Sequence, residues 1–444
     1  MARAGLVVVP DDHAWLFDLL VNGSPVPARP GTDGVGPAAW AASGRLPPGF
    51  ERAERFALIP GAGGRSFAVS LASAAGSAAA LTSYNALRSP AKRAARRVLG
   101  LGLRSGAIQP LLARKVDVGH RPAAAGAAAG EAVSLISHLC ELFGVPRIVL
   151  AAGAGAGPYR KPVLQAFTTG GAPLGYVKVG WNDWTVAAVR READALLSCQ
   201  DRQAGFGVPG VIARTAWRGL ELLVTEPLPA RVRRVGARGG RPGAGLIRQI
   251  SELSAVRSGP LAADPWWRDL RARIESAASD RAARDHLEGL ADLIEDRHGG
   301  AELRYGAWHG DLVPWNQARL GGRRYLWDWE SSAPYAPVGF DALHYHFQVA
   351  FVARRRSLPV AAGHAVRLAT PTLTALGIPP AGHRALADLH LMELLVRHEE
   401  ARASTGDLDP RFWPAVTGVL RASLRGAAGS GTMAPPAGEA GRAA

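Results

Sequence analysis

The stretch Trp308–Glu330, WHGDLVPWNQARLGGRRYLWDWE, sets His309, Asp311, Asn316 and Asp328 at fixed intervals among apolar residues. Asp311 and Asn316 stand five apart and can converge on one point only if the loop between them is held rigid. Asp328 follows Asn316 by twelve residues, at the end of the short strand-like run RRYLWDWE, and can join it on a hard cation. Oxygen donors with few protein carboxylates suit Mg2+ that also coordinates phosphates. Asp311 is then free to take a proton from a hydroxyl, while the His309 ring suits bonding to backbone and holding the loop without titrating. A metal, a base on a fixed loop and a lysine on phosphates are the parts that phosphoryl transfer needs.

A lysine of the required kind lies upstream. From residue 131 to Pro229 the chain reads as three strands, a helix and two strands. RIVLAAGAGAGPYRKPVLQAF has apolar runs on either side of Gly153, Gly155 and Gly157, the pattern of a hairpin with a glycine tip. PLGYVKVGW is the next strand, with Lys178 flanked by valines; a lysine there ordinarily marks a solvated face. NDWTVAAVRREADALLSC reads as a helix capped by Asn182, Asp183 or Thr185, with Val186, Val189, Ala193, Leu196 and Leu197 as its apolar stripe. Glu192 borders that stripe, where its carboxylate can turn inward and meet Lys178. Two more strands, GVIARTAWRGLELLVTEPLP, end in a Thr-Glu-Pro-Leu connection. The rest reads as helices, beginning with Gly245–Arg257.

HGDLVPWN followed by LWDWE resembles the catalytic and metal-binding loops of the aminoglycoside phosphotransferase and choline kinase group, which is related to the protein kinases. Lys178, Glu192 and VTEPLP stand in the matching order, so the resemblance spans roughly residues 130–425. It implies an α+β, two-lobed protein-kinase-like fold: a small antiparallel-sheet lobe at 131–229 and a helical lobe at 230–425. Residues 1–120 lie outside it as an N-terminal accessory region without an assigned role; by composition the Ala/Gly-rich run at 121–130 reads as a linker and the low-complexity run at 426–444 as a disordered tail.

The resemblance also implies roles. Lys178 would contact the α- and β-phosphates of ATP, paired with Glu192, and Gly153, Gly155 and Gly157 would cover the phosphates through their backbone. Asp311 would be the catalytic aspartate, with His309 supporting its loop. Asn316 and Asp328 would hold Mg2+, and Asp341 in VGFDALHY would brace the catalytic loop. Pro227 has no N–H, so the Glu226 carbonyl and the Leu228 N–H are the expected adenine partners. The implied activity is transfer of the γ-phosphoryl group of Mg-ATP to a hydroxyl of a small substrate: an aminoglycoside, a sugar or an amino alcohol. The alternative is a nucleotide-binding pseudokinase or scaffold module. The glycine run departs from relatives that place Ser or Asn there.

Composition narrows the partners. A net charge of +15 arises from 52 basic residues of which only four are lysines, in a chain rich in Ala, Gly and Pro throughout. That bias reads as nucleotide composition of the gene, and no nucleic-acid-binding motif accompanies it. Two cysteines exclude a disulfide framework or a Cys-based zinc site within one chain, and a reduced, cytoplasmic setting is expected. Residues 66–87 lack charge, but Ala, Ser and Gly dominate them, so a packed segment is expected rather than a membrane span.

Overall fold

The computed structural model describes residues 14–23, 38–42, 46–60, 66–83, 90–108, 112, 114–121, 134–154, 161–277, 280–405 and 411–425. Gly155, Gly157, the linker at 122–130 and the tail at 426–444 lie outside the described residues. The chain forms two compact units, residues 1–257 with 305–345, and residues 258–304 with 346–444.

The first unit is built on one antiparallel sheet of nine strands. In chain order these are β1 (Ala38–Ala42), β2 (Glu51–Pro60), β3 (Ser66–Ser70), β4 (Lys115–His120), β5 (Ile148–Ala154), β6 (Val163–Thr168), β7 (Pro173–Gly180), β8 (Val211–Trp217) and β9 (Leu220–Thr225). Their spatial order is β1-β4-β2-β3-β5-β6-β7-β9-β8. The helices described before β8 are α1 (Ala14–Asn22), α2 (Ala74–Thr82), α3 (Pro90–Arg104), α4 (Leu135–Phe143) and α5 (Asp183–Asp201). Successive strand side chains point to opposite faces, and β5 divides accordingly. Ile148, Leu150 and Ala152 enter a core with Leu16, Phe17 and Leu20 of α1 and Leu135 and Leu139 of α4. Val149 and Ala151 enter a second core with Ala80 and Leu81 of α2 and Leu103 of α3. With both faces covered, β5 reads as continuously apolar rather than alternating.

The five strands expected between residue 131 and Pro229 are β5–β9, in the expected order around α5. The partition of the chain differs from the expected boundaries. Residues 38–120 supply β1–β4, and β3 pairs directly with β5, Val69 opposite Ala151 and Phe67 opposite Gly153. The supposed accessory region therefore extends the same sheet, and neither compact unit begins at 131 or 230. Composition marks where a chain can bend; it carries no record of strand pairing across the bend.

Two smaller expectations are corrected. Leu197 is 40% exposed, and Glu192, Leu196 and Cys199 line the buried face of α5; at 3.6 residues per turn, residue 197 stands about 100° away from 196. The helix expected at Gly245–Arg257 is shorter, Ala244–Ser251, closed by Glu252 N–H donating to the Arg248 and Ile250 carbonyls.

The second unit is mainly helical, with helices Pro265–Ala277, Arg281–His298, Leu358–Ala375, Pro380–Thr405 and Phe412–Arg425. Arg273 of the first donates to Glu393 (3.0 Å) and Glu400 (2.7 Å) of the fourth. The Glu393 carboxyl is buried, but the two guanidinium groups of Arg273 and Arg397 outweigh that burial and hold its pKa below the ordinary value. Among the described residues no helix is long and apolar enough to cross a membrane.

Candidate active site

The β7–α5 junction places the first pair of groups. Val177 and Val179 face one core, so Lys178 between them projects from the other side of the sheet, where it too is buried. The chain turns at Gly180, where a Cβ would lie 2.7 Å from the Val186 Cα; only glycine allows α5 to start so close to the strand. Asn182 is the N-cap: its side-chain oxygen accepts from Thr185 N–H (2.9 Å), and the Thr185 hydroxyl accepts from Asn182 N–H (3.0 Å). This capping box satisfies the helix's first donors and fixes its start, so that Glu192 arrives opposite Lys178. The Lys178 ammonium donates to both Glu192 oxygens at 2.7 Å and is also ion-paired with Asp328. Burial opposes the charge on Lys178, but Asp328 and Glu192 outweigh it and hold its pKa above the ordinary value. The reciprocal holds for Asp328, whose carboxyl is held below the ordinary range by Lys178 against the effect of burial.

The segment from His309 to Asn316 is fixed from two directions. Asp341, in the first turn of the helix Phe340–Gln348, accepts from His309 N–H (2.9 Å) and Gly310 N–H (3.1 Å). Gly310 has φ +78°, and a Cβ there would stand 2.0 Å from the Ser331 carbonyl oxygen. The glycine is thus required both by its backbone conformation and by the close approach of the segment that follows Asp328. His309 is fully buried, its ring 4.3 Å from that of Trp329, and its Nδ1 accepts from Asp311 N–H (3.3 Å). Burial lowers its pKa, so the ring is neutral and holds the loop.

Asn316 Nδ2 donates to the Asp311 carboxylate (2.8 Å) and carbonyl (3.1 Å), closing the five-residue interval into a ring. The twelve-residue interval to Asp328 is a hairpin: Gln317–Leu320 pairs with Arg323–Leu326, Gln317 opposite Leu326. One step further, Trp327 N–H donates to the Asn316 carbonyl (3.3 Å). Asp328 itself sits at φ 65°, ψ 56°, a left-handed conformation that costs a non-glycine residue about 1–2 kcal/mol. Such strain is kept where the surroundings over-determine it, typically at functional sites.

A cavity of about 480 Å3 opens beside these groups, lined among others by Val163, Lys178, Thr225, Leu228, Gln317 and Asp328. Glu226 also lines it; Glu226 N–H donates to the Gly210 carbonyl (2.7 Å), and Leu228 packs with Val232 and Ala318. Apolar side chains such as Val163 and Leu228 line the cavity together with charged groups that include Lys178, Glu192 and Asp328, a lining that suits a ligand with both an apolar and a charged part. Carboxylate oxygens of Glu192, Asp328 and Glu330 lie within 4.8 Å of one another. A cluster of hard oxygen donors that includes Asp328 fits a divalent cation of the Mg2+ type.

Of the residues singled out from sequence, Lys178, Glu192, Asp328, His309, Asp311, Asn316 and Asp341 form one connected set, with Glu226 and Leu228 along the same cavity. Gly153 lies in β5, paired with Phe67. Three residues of the site were not found from sequence. Lys161 is buried and ion-paired with Glu330, and burial together with the Lys178 charge lowers its pKa to about 7. Glu330, in the run LWDWE, also has its carbonyl bound by Arg191 of α5 (3.0 Å). His344 Nε2 lies 3.1 Å from Asp311 Oδ1. The scarcity of lysine was a usable signal for Lys161; nothing local distinguishes His344 from an ordinary helix histidine.

No protein-family model matches this chain, and no curated protein does. Its neighbours among solved structures are small-molecule kinases of protein-kinase-like fold. A putative fructosamine-3-kinase from Haemophilus somnus is 12% identical, with 66% of this chain and 97% of that one covered at a TM-score of 0.43. Aminoglycoside phosphotransferase APH(4)-Ia is 15% identical over 66% and 98%, at 0.44. The choline kinase LicA from Streptococcus pneumoniae is 14% identical over 60% and 89%, at 0.39.

Proposed function

We propose that this protein is an ATP-dependent phosphotransferase that moves the γ-phosphoryl group of Mg-ATP to a hydroxyl of a small substrate. The observation that carries the reading is the Lys178 ammonium held at once by Glu192 and by Asp328, 150 residues later in the chain. A lysine suited, in this reading, to phosphates and a carboxylate suited to a metal stand beside one cavity, which Pro314 and Trp315 of the loop after Asp311 also line. In this reading the nucleotide enters with its base toward Glu226 and Leu228, and Lys178 receives the α- and β-phosphates. Bound Mg2+ supplies charge neutralisation on the phosphates, with Asp328 and Asn316 as its protein ligands. Asp311 orients the acceptor hydroxyl and takes its proton as the new oxygen–phosphorus bond forms and the bond to the ADP oxygen breaks. Asn316 fixes the carboxylate, and Asp341 and His309 fix the loop that carries it. Because phosphoryl transfer is mostly positioning and charge stabilisation, these supports matter as much as the base.

The test has two arms. Mg-ATP should raise the melting temperature, the gain amounting to about 2.7 kcal/mol at a hundredfold excess over Kd, and ATP with chelator should raise it far less. ADP release is then followed against aminoglycosides, sugars and amino alcohols. Asp311→Asn should keep Mg-ATP affinity and lose about two to four orders of magnitude in kcat, whereas Asp328→Ala should lose affinity as well. Absence of a shift at millimolar Mg-ATP sinks the proposal. Binding without turnover of any acceptor or of water would make the chain a nucleotide-binding module instead.

A further inference from the structure

Asp341 and His344 stand three residues apart on the helix Phe340–Gln348, hence on one face one turn apart. Asp341 engages the backbone of the His309–Gly310 segment. His344 reaches past it to the reacting group: its Nε2 is 3.1 Å from Asp311 Oδ1, while Asn316 Nδ2 is 2.8 Å from the other oxygen, Oδ2. His344 is 4% exposed, whereas the Asp311 side chain is 36% exposed. The buried imidazole therefore holds the carboxylate from the protein side and leaves its open side to a ligand.

An ionised carboxylate only accepts hydrogen bonds, so the His344 nitrogen facing it must carry the proton. Rotation of a carboxylate about its last side-chain torsion is soft, and one donor alone leaves the plane free to swing. Two donors, one on each oxygen, fix it. Each oxygen keeps a further lone pair, which is what an incoming hydroxyl requires. We infer that His344 is a positioning residue that, with Asn316, holds the Asp311 carboxylate in the plane from which it accepts the proton of the acceptor hydroxyl. The inference rests on the phosphotransferase reading and assigns a role to a residue outside the His309–Asn316 loop. His344 does not touch the reacting atoms; it acts through Asp311.

The experiment compares His344→Leu, which removes the donor at similar bulk, with His344→Gln, whose amide nitrogen can reach about where Nε2 stands. Calorimetry gives Mg-ATP affinity, and initial rates of ADP release, to water or to an acceptor, give kcat and KM. His344→Leu should bind Mg-ATP as the parent does and lose about ten- to a hundredfold in kcat, the range typical when an orienting partner of a reacting group is removed, with the KM for ATP unchanged. His344→Gln should recover most of that loss. Equal kcat in parent and Leu variant overturns the inference, as does a Gln variant no better than Leu, which would assign the effect to shape.

A second readout needs neither turnover nor a stable Leu variant. In protein labelled with 15N-histidine, the His344 resonances, assigned by their loss in His344→Gln, should report a protonated Nε2. They should shift in Asp311→Asn, where the carboxylate becomes an amide. An unprotonated Nε2 overturns the inference while leaving the phosphotransferase reading intact. A parent protein that binds no Mg-ATP ends that reading, and the positioning role falls with it.

Discussion

Replacing Lys178 by methionine separates the structural from the chemical role of the site. The ammonium donates twice to Glu192, whose side chain is 3% exposed against 10% for Lys178. Taking one partner from a buried pair strands the other charge and costs about 3–5 kcal/mol. The contact with Asp328, whose side chain is 39% exposed, is screened by water and is left out of this figure. Lys178→Met should therefore lower unfolding free energy by about 3–5 kcal/mol. The double variant Lys178→Met/Glu192→Leu removes both charges from the pair and fills the space with apolar groups, which is commonly neutral or better. It should return to within about 1 kcal/mol of the parent, yet bind Mg-ATP no better than the single variant. The window follows from the shifts. The raised Lys178 pKa makes its contribution complete below the unfolded value of 10.5, to be lost as pH rises from there through the folded one. The depressed Asp328 pKa makes its contribution complete above 3.8, to be lost as pH falls through a lower folded value. Between those limits both charges contribute in full, while Lys161, whose pKa of about 7 is lowered in part by the Lys178 charge, should titrate at a higher pH in the single variant. Urea titrations of the three proteins, with calorimetry of Mg-ATP, measure both quantities. A single variant that loses under about 1 kcal/mol, or a double variant as unstable as the single, would refute the buried-pair argument.

Three further outcomes follow from the same geometry. Gly310→Ala should destabilise by about 2–4 kcal/mol, the left-handed backbone and the overpacking against the Ser331 carbonyl adding together; a melting temperature like the parent's would contradict the close approach. A fragment beginning at residue 131 lacks β3 and so exposes the β5 edge and half of two cores. It should be insoluble or fail to bind Mg-ATP, and a soluble, binding-competent fragment would restore the boundary read from composition. The buried, neutral His309 has a folded pKa below its unfolded 6.5, so the unfolded chain binds more protons and stability falls as pH drops from about 6.5. His309→Asn should flatten the melting-temperature slope between about pH 6.5 and 5; an unchanged slope would show that His309 is not the neutral, buried group.

Sequence alone determined what depends on short intervals. The interval from Asp311 to Asn316 is closed by one hydrogen-bonded ring, and that from Asn316 to Asp328 by one hairpin, so residues near in sequence meet whatever else the chain does. The start of α5 was legible to within a few residues, at Asn182, Asp183 or Thr185, since capping is a property of a few residues, and the structure puts the cap at Asn182. Tertiary structure alone decided the rest. Periodicity tells which side of a strand is apolar but not which strand lies beside it, so the pairing of β3 with β5 and the nine-stranded sheet could not be read. A lysine between valines has the same pattern on a solvated face as in a buried site; only Glu192 and Asp328 arriving from elsewhere make burial of Lys178 tolerable. Lys161 with Glu330, and His344 with Asp311, are pairs of residues far apart in the chain. Their chemistry exists only where the fold brings two partners within hydrogen-bonding distance, and no single residue's neighbours in sequence carry that information.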